Sequence, residues 1–180
     1  MTDLRKEKKA ELILSIVAVV AFALFFWIAQ PATYSAPEDK AALWLDIRQA
    51  AEKADLKAEF VLAICMAESS LNPNADSGYA RGLMQVSRIA WDEVSELPYH
   101  EAYEPKTNLE VGTAYLNHLK DFLKANDNFS YANLAASYRF GPYALKDAGY
   151  DLKNLQKPAN KIYQQLFAGN TAPVPIPVAE

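Results

Sequence analysis

The sequence has a single cysteine, Cys65, so an intramolecular disulfide and any multi-cysteine metal site are excluded. Its two histidines, His100 and His118, stand too far apart for a helical metal pair, and neither is assigned a ligand role. There is no long basic tract, and the net charge of -4 argues against a nucleic-acid partner. Strand-like alternation of apolar and polar residues is nearly absent, and no internal repeat is visible. What remains is helical periodicity, in a chain of 180 residues that is 51% hydrophobic and 22% charged. That balance suits one globular domain with an additional segment.

The additional segment is N-terminal. Residues 1–11 carry Arg5, Lys6, Lys8 and Lys9, and Leu12 to Ala29 then run without a charge. At helical rise this run spans roughly 27 Å, close to the hydrocarbon core of a bilayer. Trp27, near its end, suits the membrane interface. A core helix is the alternative, but no polar face breaks the run. The basic cluster predicts a cytoplasmic N-terminus, with the rest of the chain outside the cytoplasmic (inner) membrane, in the periplasm or facing the cell wall. A cleaved signal peptide competes with an anchor. The stretch is long for that, and Gln30 and Tyr34 spoil the small-residue pattern before Ala32 and Ala36. The expectation is therefore an uncleaved transmembrane anchor over 12–29.

A short proline-containing linker, 30–37, precedes an all-α domain expected over 38–169, and a Pro-rich tail, 170–180, reads as extended. Leu43, Ile47, Ala50 and Ala54 form one helical stripe. Asp55 is expected to cap a second helix ending near Ser69, and a short helix is expected around 87–97. Asn108 is expected to cap a longer helix whose inner face carries Gly112, Tyr115, Leu116, Leu119, Phe122 and Leu123. Tyr131, Leu134, Ala135 and Tyr138 mark another. Pro158 is placed where a last helix begins, with Gly169 as its stop.

Glu68 is the residue that raises a chemical question. Helical spacing sets it over Val61, Ile64 and Cys65, on the apolar face of its helix. An ionised carboxylate there is costly unless paired, and both desolvation and the C-terminal end of the helix dipole favour its protonated form. A general acid working at neutral pH needs that property. A helix-end glutamate is also commonly just solvated, or paired with an arginine such as Arg81 or Arg88. The loop that follows is rich in Asn, Asp, Ser and Gly, residues that build the walls of clefts.

The stretch AESSLNPNADSGYARGLMQV, Ala67 to Val86, resembles the Glu-Ser and Gly-Leu-Met-Gln motifs of lytic transglycosylases with the soluble-lytic-transglycosylase (SLT), lysozyme-like domain. NLEVGTAYLNHL, Asn108 to Leu119, is similar to that family's Asn-x-x-x-Gly-x-x-Tyr-Leu helix. LAASYRFG, Leu134 to Gly141, is similar to its Ala-Tyr-Asn-x-Gly stretch. Three motifs in the family's order make the likeness specific. It implies a lysozyme-like fold, Glu68 as the sole catalytic acid/base, and Ser69, Met84, Gln85 and Tyr138 as substrate-binding residues. On the residues alone, Tyr138 and Met84 fit a core role as well, and Ser69 a helix end. The chain departs from the pattern at Arg139, where the family usually has Asn, and at Tyr79, where a Gly is common.

The resemblance implies cleavage of the β-1,4 bond between N-acetylmuramic acid and N-acetylglucosamine in peptidoglycan, ending in a 1,6-anhydro ring, with no metal or cofactor. Most glycosidases use two carboxylates, and the motif region offers one. A goose-type muramidase and a non-catalytic, membrane-anchored peptidoglycan-binding scaffold are the competing expectations. Water-positioning carboxylates for the former would be sought at Asp76 and Asp92. Peptidoglycan strands and the cytoplasmic membrane are the expected partners.

Overall fold

The computed structural model describes residues 37–177, with side chains from Lys40 onward. The expected anchor over 12–29 lies outside the described residues. Among the described residues no helix is long and apolar enough to cross a membrane.

The centre of the fold is a helix with almost no polar side. Helix α1 (Pro37–Lys53) lays Leu43, Ile47 and Ala51 against it. The central helix, α2 (Ala58–Ser69), buries Phe60 through Cys65 without a gap, so it is enclosed on every side. A two-stranded antiparallel hairpin follows, β1 (Ala80–Arg81) and β2 (Val86–Ser87), then α3 (Arg88–Val94) and a 3-10 turn over Tyr99–Tyr103. The long α4 (Pro105–Ala125) packs on α1, α3 and α5 (Tyr131–Phe140). After α6 (Pro142–Asp147) the chain returns as α7 (Lys161–Phe167), which packs against both α2 and α5.

Three expected helix starts are corrected. Asp55 does not cap α2: it adopts a left-handed conformation, φ 51°, in the turn that ends α1, and the position before α2 is Lys57. The freed carbonyls at the end of α1 are taken instead by Lys120, whose buried Nζ donates to Ala54 O at 3.1 Å and Asp55 O at 3.0 Å. Asn108 does not cap α4 either. Pro105, with its φ preset for a first helical turn, begins the helix earlier and carries Asn108 into the core. The last helix starts at Lys161 rather than at Pro158, because Asn160 caps it through Oδ1, which accepts from Ile162 N at 2.8 Å.

Buried Asn108 holds the hairpin loop to α4. Its Oδ1 accepts from Met84 N at 2.8 Å, while Nδ2 donates to Ala102 O at 2.8 Å and Arg81 O at 3.0 Å. Gly82 sits directly above it with φ 77°, and a Cβ there would meet Ala102 O and the Asn108 amide. Gly112, one turn along α4, leaves the space that the Met84 side chain fills. Asn108→Ala is expected to cost at least about 3 kcal/mol, since it strands one N–H and two carbonyls in the interior. Urea unfolding checks this, and a cost comparable to that of exposed Asn154→Ala would contradict the clamp.

Candidate active site

The residues after α2 turn sharply. Ser70 and Leu71 both have positive φ, 56° and 65°, and the Ser70 and Leu71 N–H groups close back on Met66 O and Cys65 O. The loop is then folded on its own side chains: Asn72 Oδ1 accepts from Asn74 N and Asp76 Oδ1 from Gly78 N. Asp76 also accepts the Tyr103 hydroxyl and pairs with Arg81 at 3.3 Å. The hairpin that follows forms one wall of a cleft of about 620 Å³. The end of α2, Tyr115 of α4, the end of α5 and the start of α7 form the rest.

Glu68 opens into this cleft with 12% of its side chain exposed. Tyr163 of α7 donates its hydroxyl to Glu68 Oε1. Arg139 of α5 brings Nη1 to 3.8 Å from Oε2 and sets its guanidinium 5.6 Å from the centre of the Tyr163 ring. Burial pushes the Glu68 carboxyl above the ordinary range, against the Tyr163 hydrogen bond and the Arg139 charge, which pull it down. Burial first, and then the charge of Glu68, raise the Tyr163 hydroxyl well above its usual value, so it stays a donor. Because Oε1 is engaged as an acceptor, the proton of the neutral acid belongs on Oε2, the oxygen on the Arg139 side.

The expected site residues fall on both sides of the cleft wall. Gln85 and Tyr138 line it with Glu68. Gln85 holds a strained φ of 47° and donates Nε2 to Ala75 O at 2.9 Å, which ties the loop to the hairpin. Tyr138 donates its hydroxyl to Met84 O at 2.8 Å. Met84 itself does not line the cleft, contrary to the expectation: its side chain is fully buried beside Gly112. Ser69 is not among the lining residues either, and its hydroxyl donates to Leu83 O at 2.7 Å, fastening α2 to the hairpin loop. Among the described residues, no group of His, Cys, Asp and Glu could hold a metal ion.

Two residues escaped the sequence reading. Tyr163 lies on the apolar side of a short helix, where an aromatic residue reads as core, and its partner is 95 positions away. Asn160 caps α7 with Oδ1 while its Nδ2 donates to Ala67 O at 3.1 Å, beside Glu68. Nothing local in the sequence marks either contact.

The sequence matches the family model described as the transglycosylase SLT domain over residues 46–161. The chain belongs to the transglycosylase SLT domain family. Curated relatives of this family member include membrane-bound lytic murein transglycosylase C of Yersinia enterocolitica, 38% identical over 42% of this chain and 24% of the relative. Membrane-bound lytic murein transglycosylase E of Buchnera aphidicola is 37% identical over 57% of this chain and 52% of the relative. The chain thus spans only about a quarter to a half of the curated relatives it matches. In fold it is similar to the X-ray structure of an inactive mutant of lytic transglycosylase Slt from Pseudomonas aeruginosa. The TM-score is 0.53 at 22% identity, covering 71% of this chain and 21% of that one.

The raised Glu68 pKa gives a stability signature. The folded state holds this proton more tightly than the unfolded chain, so the stabilisation is complete below about 4.5, the unfolded value, and is lost as pH rises through the folded value. Glu68→Gln carries no such loss. Its stability relative to the wild type is expected to climb as pH rises above 4.5 and then level off, measured by urea midpoints across pH. A difference that is flat with pH would contradict a desolvated acid.

Proposed function

We propose that the protein is a peptidoglycan lytic transglycosylase with Glu68 as its single acid/base. The observation that carries this reading is that Glu68 is the only carboxylate among the described residues lining the cleft. A two-carboxylate glycosidase needs a second acid within reach across the scissile bond. The two aspartates considered for a muramidase are engaged elsewhere, Asp76 with Tyr103 and Arg81, Asp92 with Arg88 at 3.1 Å. A cleft that held glycan without cutting it would gain nothing from a desolvated acid.

With one carboxylate, the substrate supplies the nucleophile. Glu68 Oε2–H protonates the leaving glycosidic oxygen while the 2-acetamido oxygen of N-acetylmuramic acid attacks its own anomeric carbon. Glu68, now a carboxylate, removes the proton of the same sugar's 6-hydroxyl. That oxygen displaces the acetamido oxygen and closes the 1,6-anhydro ring, and the acid is regenerated. Tyr163 holds the carboxyl in orientation through Oε1 throughout. The positive charge of Arg139 favours the carboxylate that exists between the two proton transfers. Gln85 and Tyr138 line the cleft with Glu68, Tyr138 tying α5 to the hairpin loop through Met84 O, and Tyr79, 89% exposed on the rim, offers an aromatic face to a sugar ring.

The reading includes attachment to the cytoplasmic membrane through residues 12–29, with the N-terminus inside and the catalytic domain facing the cell wall. The charge-free run and the basic residues before it support this. Sequencing the mature N-terminus is expected to find the anchor retained, and a chain beginning near Ala36 or Pro37 would show that the segment is removed.

Glu68→Gln keeps the shape of the side chain and removes the transferable proton. It is expected to lower clearing of purified peptidoglycan by on the order of a hundredfold to ten-thousandfold while the protein stays folded. A folded Gln variant that clears at the wild-type rate would remove Glu68 from the chemistry.

A further inference from the structure

We propose that Arg139 is a specificity residue that binds the carboxylate borne on the 3-O-lactyl arm of a muramic acid unit, so that the cleft selects muramic acid glycans over neutral N-acetylglucosamine chains. This rests on the reading of the cleft as a glycan site. Glu68 and Arg139 are the only charged side chains among its described lining residues. The guanidinium lies over the ring of Tyr163, whose hydroxyl is committed to Glu68. Yet its donors are unspent. Arg139 makes no side-chain hydrogen bond with a described residue, and its one ion pair, to Glu68 Oε2, stands at 3.8 Å, beyond hydrogen-bond reach. Half of its side chain faces solvent. An arginine fork with free donors, braced on an aromatic ring in a cleft, is matched in shape and charge to a carboxylate.

Service to Glu68 alone does not account for it. The groups facing the acid are Tyr163 from α7, Tyr138 and Arg139 from α5, and Cys65 on its own helix, and Arg139 is the only cation among them. An adjacent positive charge loosens the proton of an acid that must hold it until the substrate arrives. Where this chain uses arginine simply to pair a carboxylate, the contact is closer, 3.3 Å for Arg81 with Asp76 and 3.1 Å for Arg88 with Asp92. A cation set back from the acid and open to the cleft is placed to meet a charge that the substrate brings. N-acetylglucosamine brings none. The lactyl arm of muramic acid ends in a free carboxylate, or in a stem peptide with carboxylates of its own. The lytic transglycosylases that the α5 motif resembles usually carry a neutral Asn at this position, so this recognition would be particular to chains with Arg there.

The test measures binding of soluble glycan fragments to the full chain, purified in detergent, on a Glu68→Gln background that does not consume them. Three fragments serve: peptide-bearing strands, strands stripped of peptides to free lactyl carboxylates, and the stripped strands with those carboxylates converted to amides. Adding Arg139→Asn is expected to weaken binding of the carboxylate-bearing fragments about tenfold and to leave the amidated fragments unchanged, as expected for loss of a partly exposed charge-assisted contact. Arg139→Lys is expected to restore part of the loss. A tenfold effect on stripped strands assigns the lactyl carboxylate, and one confined to peptide-bearing strands assigns a stem-peptide carboxylate. Equal affinities with Arg and Asn, or an equal loss on charged and amidated fragments, would overturn the proposal. Failure of every fragment to bind either variant would instead sink the glycan reading of the cleft.

Discussion

A carboxyl group at the end of a helix whose middle is buried all round needs partners brought from elsewhere in the chain, and the C-terminal half of the domain is arranged to bring them. Helix α2 is buried on every face from Phe60 to Cys65, and its last turn emerges from the core with Glu68 still largely desolvated. Tyr163 satisfies Oε1 by a hydrogen bond from α7, and Arg139 of α5 sets a positive charge 3.8 Å from Oε2. Asn160 secures the arrangement, since the same amide starts α7 and takes the Ala67 carbonyl next to the acid. The result is a partnered carboxyl whose burial still outweighs its partners, and which therefore favours the neutral acid.

The other side of the cleft solves a backbone problem. A tight loop carrying Ser70, Leu71 and Gln85 at positive φ is strained, and strain persists only where the surroundings overdetermine it. Asn108 does this from beneath, with three hydrogen bonds to backbone groups, while Gly82 leaves room for its amide and Gly112 for the Met84 side chain. Ser69 and Tyr138 fasten the loop to α2 and α5 by giving their hydroxyls to Leu83 O and Met84 O. The motif residues thus divide between those that face the cleft, Glu68, Gln85 and Tyr138, and those that hold its wall from behind, Ser69, Met84 and Asn108.

That division marks how far the sequence could be read. The unbroken apolar run into Glu68 exposed both the central helix and the misplaced carboxylate, because burial and helical period are local signals. Gly169 was readable as a stop for the same reason, and it follows the last turn of α7 with φ 90°. The roles of Asp55, Asn108 and Tyr163 were not readable. An Asn before a helical stripe looks like a cap whether it faces solvent or the core, and only Pro105 three residues earlier decides the matter. Lys120 satisfying the end of α1 and Tyr163 reaching Glu68 are contacts between distant parts of the chain, which no local pattern encodes.

The central claim is that one carboxylate suffices because the substrate completes the reaction with its own acetamido and hydroxymethyl groups. The most direct measurement is digestion of purified peptidoglycan in oxygen-18 water, with mass analysis of the released ends. The account predicts 1,6-anhydro-N-acetylmuramic acid ends, one water lighter than hydrolytic ends and free of label. Reducing N-acetylmuramic acid ends that carry the heavy oxygen, as the main product, would contradict it.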